Sequence, residues 1–525
     1  EEDLREIYGP GDPVDFVTIG HLASAESIPA LVNINKLITR HSAVVGTTGA
    51  GKSTTVAGLL TALSDPNRYP SARIVVLDIH GEYAKALADR SAVFRVSTDV
   101  SVEKNEKPLQ IPFWALSFDE LVKLSFGDLN DEAMAAVADA IVALKRESLG
   151  NQAREGVTEA RLTVDSPVPF CVHKLWFDLH QREHRTIIPK PGGAPEEVES
   201  AYVLNDAGKP VQPGDAMSVT PPLYRTVKTT GPASERVNWG RDPINIRQQL
   251  AILGSKLRDP QFEFLFNPGD WRPGIKGTVT KDLDELLKDW LGASAPISIL
   301  DLSGIPPMVL NDLIGALLRI LYDALFWARN LPEGGRLRPL MLVLEEAHAY
   351  LGKDHAGSAS SAVRRIAKEG RKYGVGVMIV SQRPSEIDPT ILSQCGTIIA
   401  MRLANEIDRG QVTGAAADNL KGLFDMLPIL RTGEAIVVGE AVSLPMRTLI
   451  DPPAKNRWPD SRDPNVAVRG DAIRGFDDEG GWTVQRQLED YTIVVKQWRK
   501  QSSTYEHRKT EPATSKARSK PGGGS

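Results

Sequence analysis

Apolar residues recur along the chain in two rhythms. Short, nearly continuous apolar runs lie at 41–46, 73–78, 297–302, 340–345, 375–381, 397–402 and 434–438, and they read as strands buried on both faces. Between them come longer stretches with apolar positions three and four apart, at 52–63, 131–149, 244–257 and 308–329, which read as helices. The first ninety residues already alternate strand, Gly-rich loop, helix and strand, so the class is α/β. Ser117 with Glu120 has the spacing of a capping box ahead of an apolar-periodic segment. Residues 185–240 break the pattern with Pro, Gly, Ser and Thr, and with turn pairs at 191–192, 205–206 and 213–214. They are expected to form a loop-and-hairpin excursion inside a mainly helical insertion. A Gly/Ser loop near 353–361 leads into a strongly basic helix at 362–373.

These rhythms divide the chain into five segments. Residues 1–35 are a short β-rich N-terminal segment. Residues 36–105 and 251–450 are two parts of one α/β core, and residues 106–250 are the helical insertion between them. Residues 451–525 are a polar C-terminal extension whose basic end, from 499 onward, reads as disordered. No internal repeat is evident.

Composition adds little beyond this. A chain of 525 residues exceeds one compact core. Its apolar content of 41%, charged content of 25% and net charge of −5 are those of a globular protein, and a basic channel can sit inside an acidic molecule. Two cysteines, Cys171 and Cys395, exclude a disulfide framework and fit a reducing cytoplasm. No apolar run reaches the length of a membrane span, no signal peptide is visible, and no membrane partner is expected. The chain opens on Glu1 rather than Met, so an upstream native N-terminus is expected.

The chemistry begins at Gly46-Thr47-Thr48-Gly49-Ala50-Gly51-Lys52-Ser53, a G-x-x-x-x-G-K-S loop between a strand and a helix. Its glycines let backbone N–H groups converge on phosphates, Lys52 reaches the terminal phosphates, and Ser53 supplies a magnesium ligand. The helix that follows turns its positive end toward the anion. Gly46, Thr48, Gly49, Ala50, Gly51, Lys52, Ser53 and Thr54 are therefore the candidate contacts to ATP, with Mg2+ as its companion ion. Hydrolysis needs an acid on a second strand. Residues 341–346 end in Glu345 and Glu346: Glu346 is the candidate to orient and polarise water, and Glu345 to support magnesium, although an aspartate is usual there. Gln382, at the tip of the 375–381 run, is placed to sense the γ-phosphate.

Several segments together resemble the HerA family. They are Arg40-His41 before the phosphate loop, Asp78-Ile-His-Gly-Glu-Tyr83, Ile111-Pro-Phe-Trp-Ala-Leu116, Glu345-Glu-Ala-His348, Glu369-Gly-Arg-Lys-Tyr-Gly374 and Ser381-Gln-Arg-Pro384. The resemblance runs from about residue 15 to 455. It implies a RecA-like P-loop ATPase core of the HerA/FtsK branch that assembles as a ring, commonly a hexamer. Such a ring pumps duplex DNA, without regard to sequence, through its pore. It also implies ATP sites at subunit interfaces and a docked nuclease or other effector. By the same resemblance Asp78 is an acid near the magnesium and the water. Arg40 and Arg371 are arginines serving the ATP site, one of them reaching into the neighbouring subunit. HerA proteins carry a β-barrel before the core, and the segment before the phosphate loop is too short for one, so a truncated or reduced barrel is expected. The large excursion at 185–240 is more similar to bacterial members that act in anti-phage defence with a sirtuin-type or nuclease partner.

Two further signals compete for attention. Arg364, Arg365, Lys368, Arg371 and Lys372 crowd one helix and call for an anion, whether DNA, ATP or a protein acid. Cys171, His173, His180 and His184 invite a zinc reading, but no C-x-x-C pair accompanies them. Other readings of the whole chain are a nucleotide-controlled scaffold ring that assembles an effector enzyme, and a conjugation or secretion ATPase.

Overall fold

A computed structural model of the chain describes residues 14–96, 105–190, 194, 196–232, 235–292, 295–352, 357–416, 421–460 and 491–500. The turn expected at 191–192, the start of the 353–361 loop and nearly all of the basic tail from 499 lie outside the described residues.

The strands are β1 (Phe16–Leu22), β2 (Ala25–Asn33), β3 (Ser42–Val45), β4 (Ile74–Asp78), β5 (Ser91–Arg95), β6 (Glu106–Pro108), β7 (Thr186–Pro189), β8 (Val198–Ser200), β9 (Asn238–Trp239), β10 (Ile297–Asp301), β11 (Leu340–Leu344), β12 (Val375–Ser381), β13 (Thr397–Ala400), β14 (Glu434–Gly439) and β15 (Met446–Ile450). Twelve of them form one sheet in the order β2-β1-β15-β14-β13-β3-β12-β11-β4-β10-β5-β6. From β13 to β6 every pairing is parallel, and from β13 to β2 every pairing is antiparallel.

The central parallel strands are buried along their whole length, which explains their continuous apolar runs. Successive side chains still alternate between the faces. Val75, Leu77, Leu342 and Leu344 join a core on one face, with the helix Pro307–Trp327 and the insertion. Ile74, Val76, Met341 and Val343 join a core on the other face, with the helix Lys52–Leu63. The sheet is thus covered on both sides, and its carboxyl-terminal edge is left for loops.

Two segment boundaries differ from expectation. Residues 16–33 extend the core sheet instead of making a reduced barrel, because β1 pairs with β15 and β2 pairs with β1. The core also resumes later than residue 251. Its next strand is β10, and the Pro- and Gly-broken stretch before it forms short helices, Glu263–Phe266 and Leu283–Trp290. Phe266 there packs against Phe113 of the insertion, ring centroids 6.3 Å apart, and Phe264 O accepts a hydrogen bond from Ile111 N at 2.9 Å. The insertion itself holds helices Phe118–Ser125, Asp131–Asn151 and Val172–His184, followed by a three-stranded antiparallel sheet, β8-β7-β9, in the turn-rich excursion. Ser117 and Glu120 make the reciprocal capping box, and Arg319 grips the same Glu120 at 2.8 Å.

Candidate active site

Strand order brings the candidate residues together. β3, β12, β11 and β4 are neighbours in the parallel sheet, so their carboxyl ends lie side by side. The phosphate loop leaves β3, Ser381 ends β12 and Gln382 follows it, Glu345 and Glu346 follow β11, and Asp78 ends β4.

The phosphate loop is built by backbone constraints. Gly49 and Gly51 hold φ of 74° and 99°, a region that costs an L side chain strain. A Cβ at Gly46 would stand 2.8 Å from Met401 Cβ. Thr47 N and Oγ1 both donate to Arg402 O, at 2.8 and 3.0 Å, and Gly433 N donates to Ala50 O at 2.9 Å. The helix Lys52–Leu63 starts at Gly51 with no side-chain cap, so its first-turn amides stay free for an anion. Lys52 is buried, 6% exposed, and its Nζ lies 3.5 Å from Thr47 O. Burial lowers its pKa, opposed by the charges of Glu346, Glu345 and Glu82. A cation surrounded by carboxylates in a glycine cradle is the donor set that ATP with Mg2+ requires, and Ser53 stands next to it in the first turn of the helix.

The two glutamates have different surroundings. Glu345 is wholly buried; its Oε2 accepts a hydrogen bond from Tyr83 Oη at 2.7 Å, and its carbonyl accepts one from Tyr350 Oη at 3.0 Å. Burial pushes its carboxyl up to about 8, only partly offset by the Tyr83 hydroxyl. Glu346 sits in the left-handed region, φ 44° and ψ 45°, an uncommon conformation for a side chain of this size. Burial opposes its charge, but His348, Lys52 and the amide of Gln382 outweigh it and hold the carboxyl below its ordinary value. His348 Nδ1 lies 3.1 Å from Glu346 Oε2 and 3.3 Å from Ser381 Oγ. The contact to Glu346 is short but oblique, and Oε2 has no aligned hydrogen bond among the described residues.

Gln382 reaches the phosphate loop directly: its Oε1 accepts a hydrogen bond from Thr48 Oγ1 at 2.6 Å. Asp78 is buried and spends its carboxylate on a turn. Oδ1 accepts from Gly81 N at 2.8 Å and from His80 N at 3.3 Å, and Oδ2 accepts from Tyr83 N at 3.0 Å. That turn carries Glu82 toward Lys52 and Tyr83 onto Glu345. Burial nonetheless raises the Asp78 carboxyl to about 6.

Arg40 and Arg371 lie elsewhere. Arg40 precedes β3 and pairs with Glu440 at 3.2 Å, and Arg371 precedes β12, exposed. Both are on the amino edge of the sheet, whereas the phosphate loop is on the carboxyl edge. Seven residues of β12 span about 23 Å, beyond the reach of an arginine side chain. His41 fixes that edge: its Nδ1 accepts from Val377 N at 3.1 Å and its Nε2 lies 3.1 Å from Ala367 O. The basic helix, Ser358–Glu369, finds its anions within the chain. Arg364 pairs with Asp388 at 3.0 Å, and Arg365 pairs with Asp323 at 3.2 Å while lying over the Tyr322 ring. In the insertion, His180 and His184 stack at 4.1 Å, and Cys171 Sγ faces Met217 Sδ at 3.8 Å, so these side chains do not converge on one point.

Sequence reasoning missed four contributors: Glu82, Tyr83, His348 and Arg402. The first three lie inside the motifs at 78–83 and 345–348, where their placement depends on turns that only the fold reveals. Arg402 follows β13 and donates to Gly49 O at 3.3 Å, a contact between residues 353 apart in sequence.

Comparison with known proteins agrees with this architecture. Residues 17–321 match the family model described as the central domain of helicase HerA. The DNA double-strand break repair helicase HerA of Saccharolobus solfataricus is 32% identical over 454 residues, covering 86% of this chain and 71% of that one. Its counterpart in Pyrococcus furiosus is 25% identical over 455 residues, covering 84% and 70%. Among solved structures, VirB4 of Thermoanaerobacter pseudethanolicus shares the fold. Its TM-score is 0.51 at 16% identity, over 85% of this chain and 99% of that one.

Proposed function

Because the chain belongs to the HerA helicase family, we propose that it is a ring-forming motor that spends ATP to move along duplex DNA. It is an ATP hydrolase, and its cofactor is Mg2+. The observation that carries the motor reading is the split between the two edges of the sheet. Lys52, Glu345, Glu346 and Gln382 gather on the carboxyl edge, while Arg40 and Arg371 project from the amino edge, where a neighbouring subunit's nucleotide can meet them.

In this reading the phosphate-loop amides and Lys52 hold the phosphates, and Ser53 and Glu345 hold the ion. When bound, magnesium neutralises phosphate charge. Glu346 orients the attacking water and takes its proton. Gln382, released from Thr48, reads the γ-phosphate, and Asp78 holds the turn that presents Glu82 and Tyr83. An arginine from the next subunit stabilises charge on the transferring phosphoryl group, a contribution worth about 10³–10⁵ in rate in enzymes that use one. Hydrolysis would then loosen the interface and advance the DNA-gripping loops. We further propose a hexameric ring and a docked nuclease or sirtuin-type effector, in anti-phage defence or DNA-end processing. These last assignments rest on the family resemblance.

The test is ATP turnover with and without duplex DNA over a salt series, in wild type and Glu346→Gln. Stimulation by DNA of any sequence, declining steeply with salt, supports a motor that grips phosphates. Turnover indifferent to DNA, or effector function that survives Glu346→Gln, points instead to a scaffold ring.

A further inference from the structure

We propose that His348 is a positioning residue that braces Glu346 for catalysis, with Ser381 as the far support of the brace. The inference rests on the reading of Glu346 as the base. A carboxylate offers no proton, so the nitrogen that faces it must carry one, and the hydrogen therefore sits on His348 Nδ1. Nδ1 lies 3.1 Å from Glu346 Oε2 and 3.3 Å from Ser381 Oγ. Ser381 Oγ is itself fixed, since it accepts a hydrogen bond from Arg383 N at 3.1 Å. The imidazole thus ties the loop after β11 to the end of β12.

Glu346 needs such a tie for two reasons. Its backbone is left-handed, a conformation that persists only when surrounding contacts enforce it. Its carboxylate must also keep one orientation to meet the attacking water, and His348 Nδ1 stands 3.1 Å from Oε2 to hold it. The oblique approach of Nδ1 leaves the lone pairs of Oε2 without an aligned partner, and these are the lone pairs that would receive a proton from water.

The test compares His348→Leu, which removes the donor, with His348→Asn, whose amide N–H falls near the position of Nδ1. His348→Leu should lower kcat by about tenfold to a hundredfold, part of the 10²–10⁴ a positioned base contributes, with affinity for a non-hydrolysable ATP analogue and KM changed by less than about threefold. His348→Asn should recover most of the loss. In a Glu346→Gln background His348→Leu should cost nothing more, because the brace acts only through that carboxylate. An unchanged kcat in His348→Leu overturns the proposal. So does an equal loss in the Glu346→Gln background, or an asparagine variant no better than leucine. If leucine does not fold, His348→Phe keeps a ring, drops the donor and serves in the same comparison. Full turnover in Glu346→Gln alone would instead remove the reading of Glu346 itself. Loss there with a silent His348→Leu removes only the brace.

Discussion

Binding of a non-hydrolysable ATP analogue with magnesium should expel a proton from Glu345. In the nucleotide-free chain this carboxyl is wholly buried against the Tyr83 hydroxyl, and burial raises it to about 8. A carboxyl at about 8 is about 0.9 protonated at pH 7, about 0.5 at pH 8 and about 0.1 at pH 9. A divalent cation placed beside it reverses the balance and restores the ionised form. Each site should therefore release about 0.9, 0.5 and 0.1 proton at those three pH values. Titration calorimetry in buffers of different ionisation enthalpy reads this directly, as the slope of observed heat against buffer heat. ATP and Lys52 bring protons of their own, so the quantity that counts is the difference between wild type and Glu345→Gln. A difference below about 0.3 proton at pH 7, or one that does not decline toward pH 9, would show that Glu345 is not the proton released. The same shift has a stability signature. The folded pKa lies above the unfolded one, so the contribution of Glu345 is complete below its ordinary value of 4.5 and is lost as pH rises through about 8. Thermal midpoints of the nucleotide-free protein should accordingly decline across that window, and less so in Glu345→Gln.

Other expectations follow from single contacts. Mixing Lys52→Ala and Arg371→Ala subunits, each inactive alone, should restore ATP turnover if Arg371 acts across an interface; mixtures as inactive as their parents would place Arg371 outside the shared site. Lys145 is 1% exposed and donates to Val164 O at 2.5 Å and Ser166 O at 2.6 Å, so Lys145→Met should strip Val164 O of this donor, leave Ser166 O only the amide of Val168, and cost about 1–3 kcal/mol by denaturant unfolding. Arg319→Met should cost about 3–5 kcal/mol, because it strands the buried Glu120 carboxylate that also caps the helix Phe118–Ser125; an unchanged unfolding midpoint would exclude that pairing as a support of the insertion.

What the sequence revealed and what it hid follow from where each signal resides. The parallel strands β3, β4, β10, β11 and β12 were legible because burial on both faces demands unbroken apolar runs. The β1–β2 hairpin carries the mixed pattern of a sheet margin, so its pairing with β15, more than 400 residues away, left no local mark. The phosphate loop was legible because its chemistry is contiguous, from Gly46 to Ser53. The different surroundings of Glu345 and Glu346 were less so. Adjacent in sequence, they part in space: Glu345 turns onto Tyr83, while Glu346, in the left-handed region, faces His348.

The fate of the basic residues completes the argument. Composition treats Arg364, Arg365 and Arg371 as one cluster, yet Asp388 and Asp323 answer the first two, and the Arg371 side chain has no hydrogen bond or ion pair among the described residues. An exposed arginine whose side chain has no partner among the described residues, at the edge of the sheet farthest from its own phosphates, is poorly placed to serve that nucleotide and well placed to serve another. The geometry that separates Arg371 from Lys52 within one chain is therefore what gives the subunit-mixing experiment its force. If the two act in one site, that site must be completed between chains, and neither variant alone can be repaired from within.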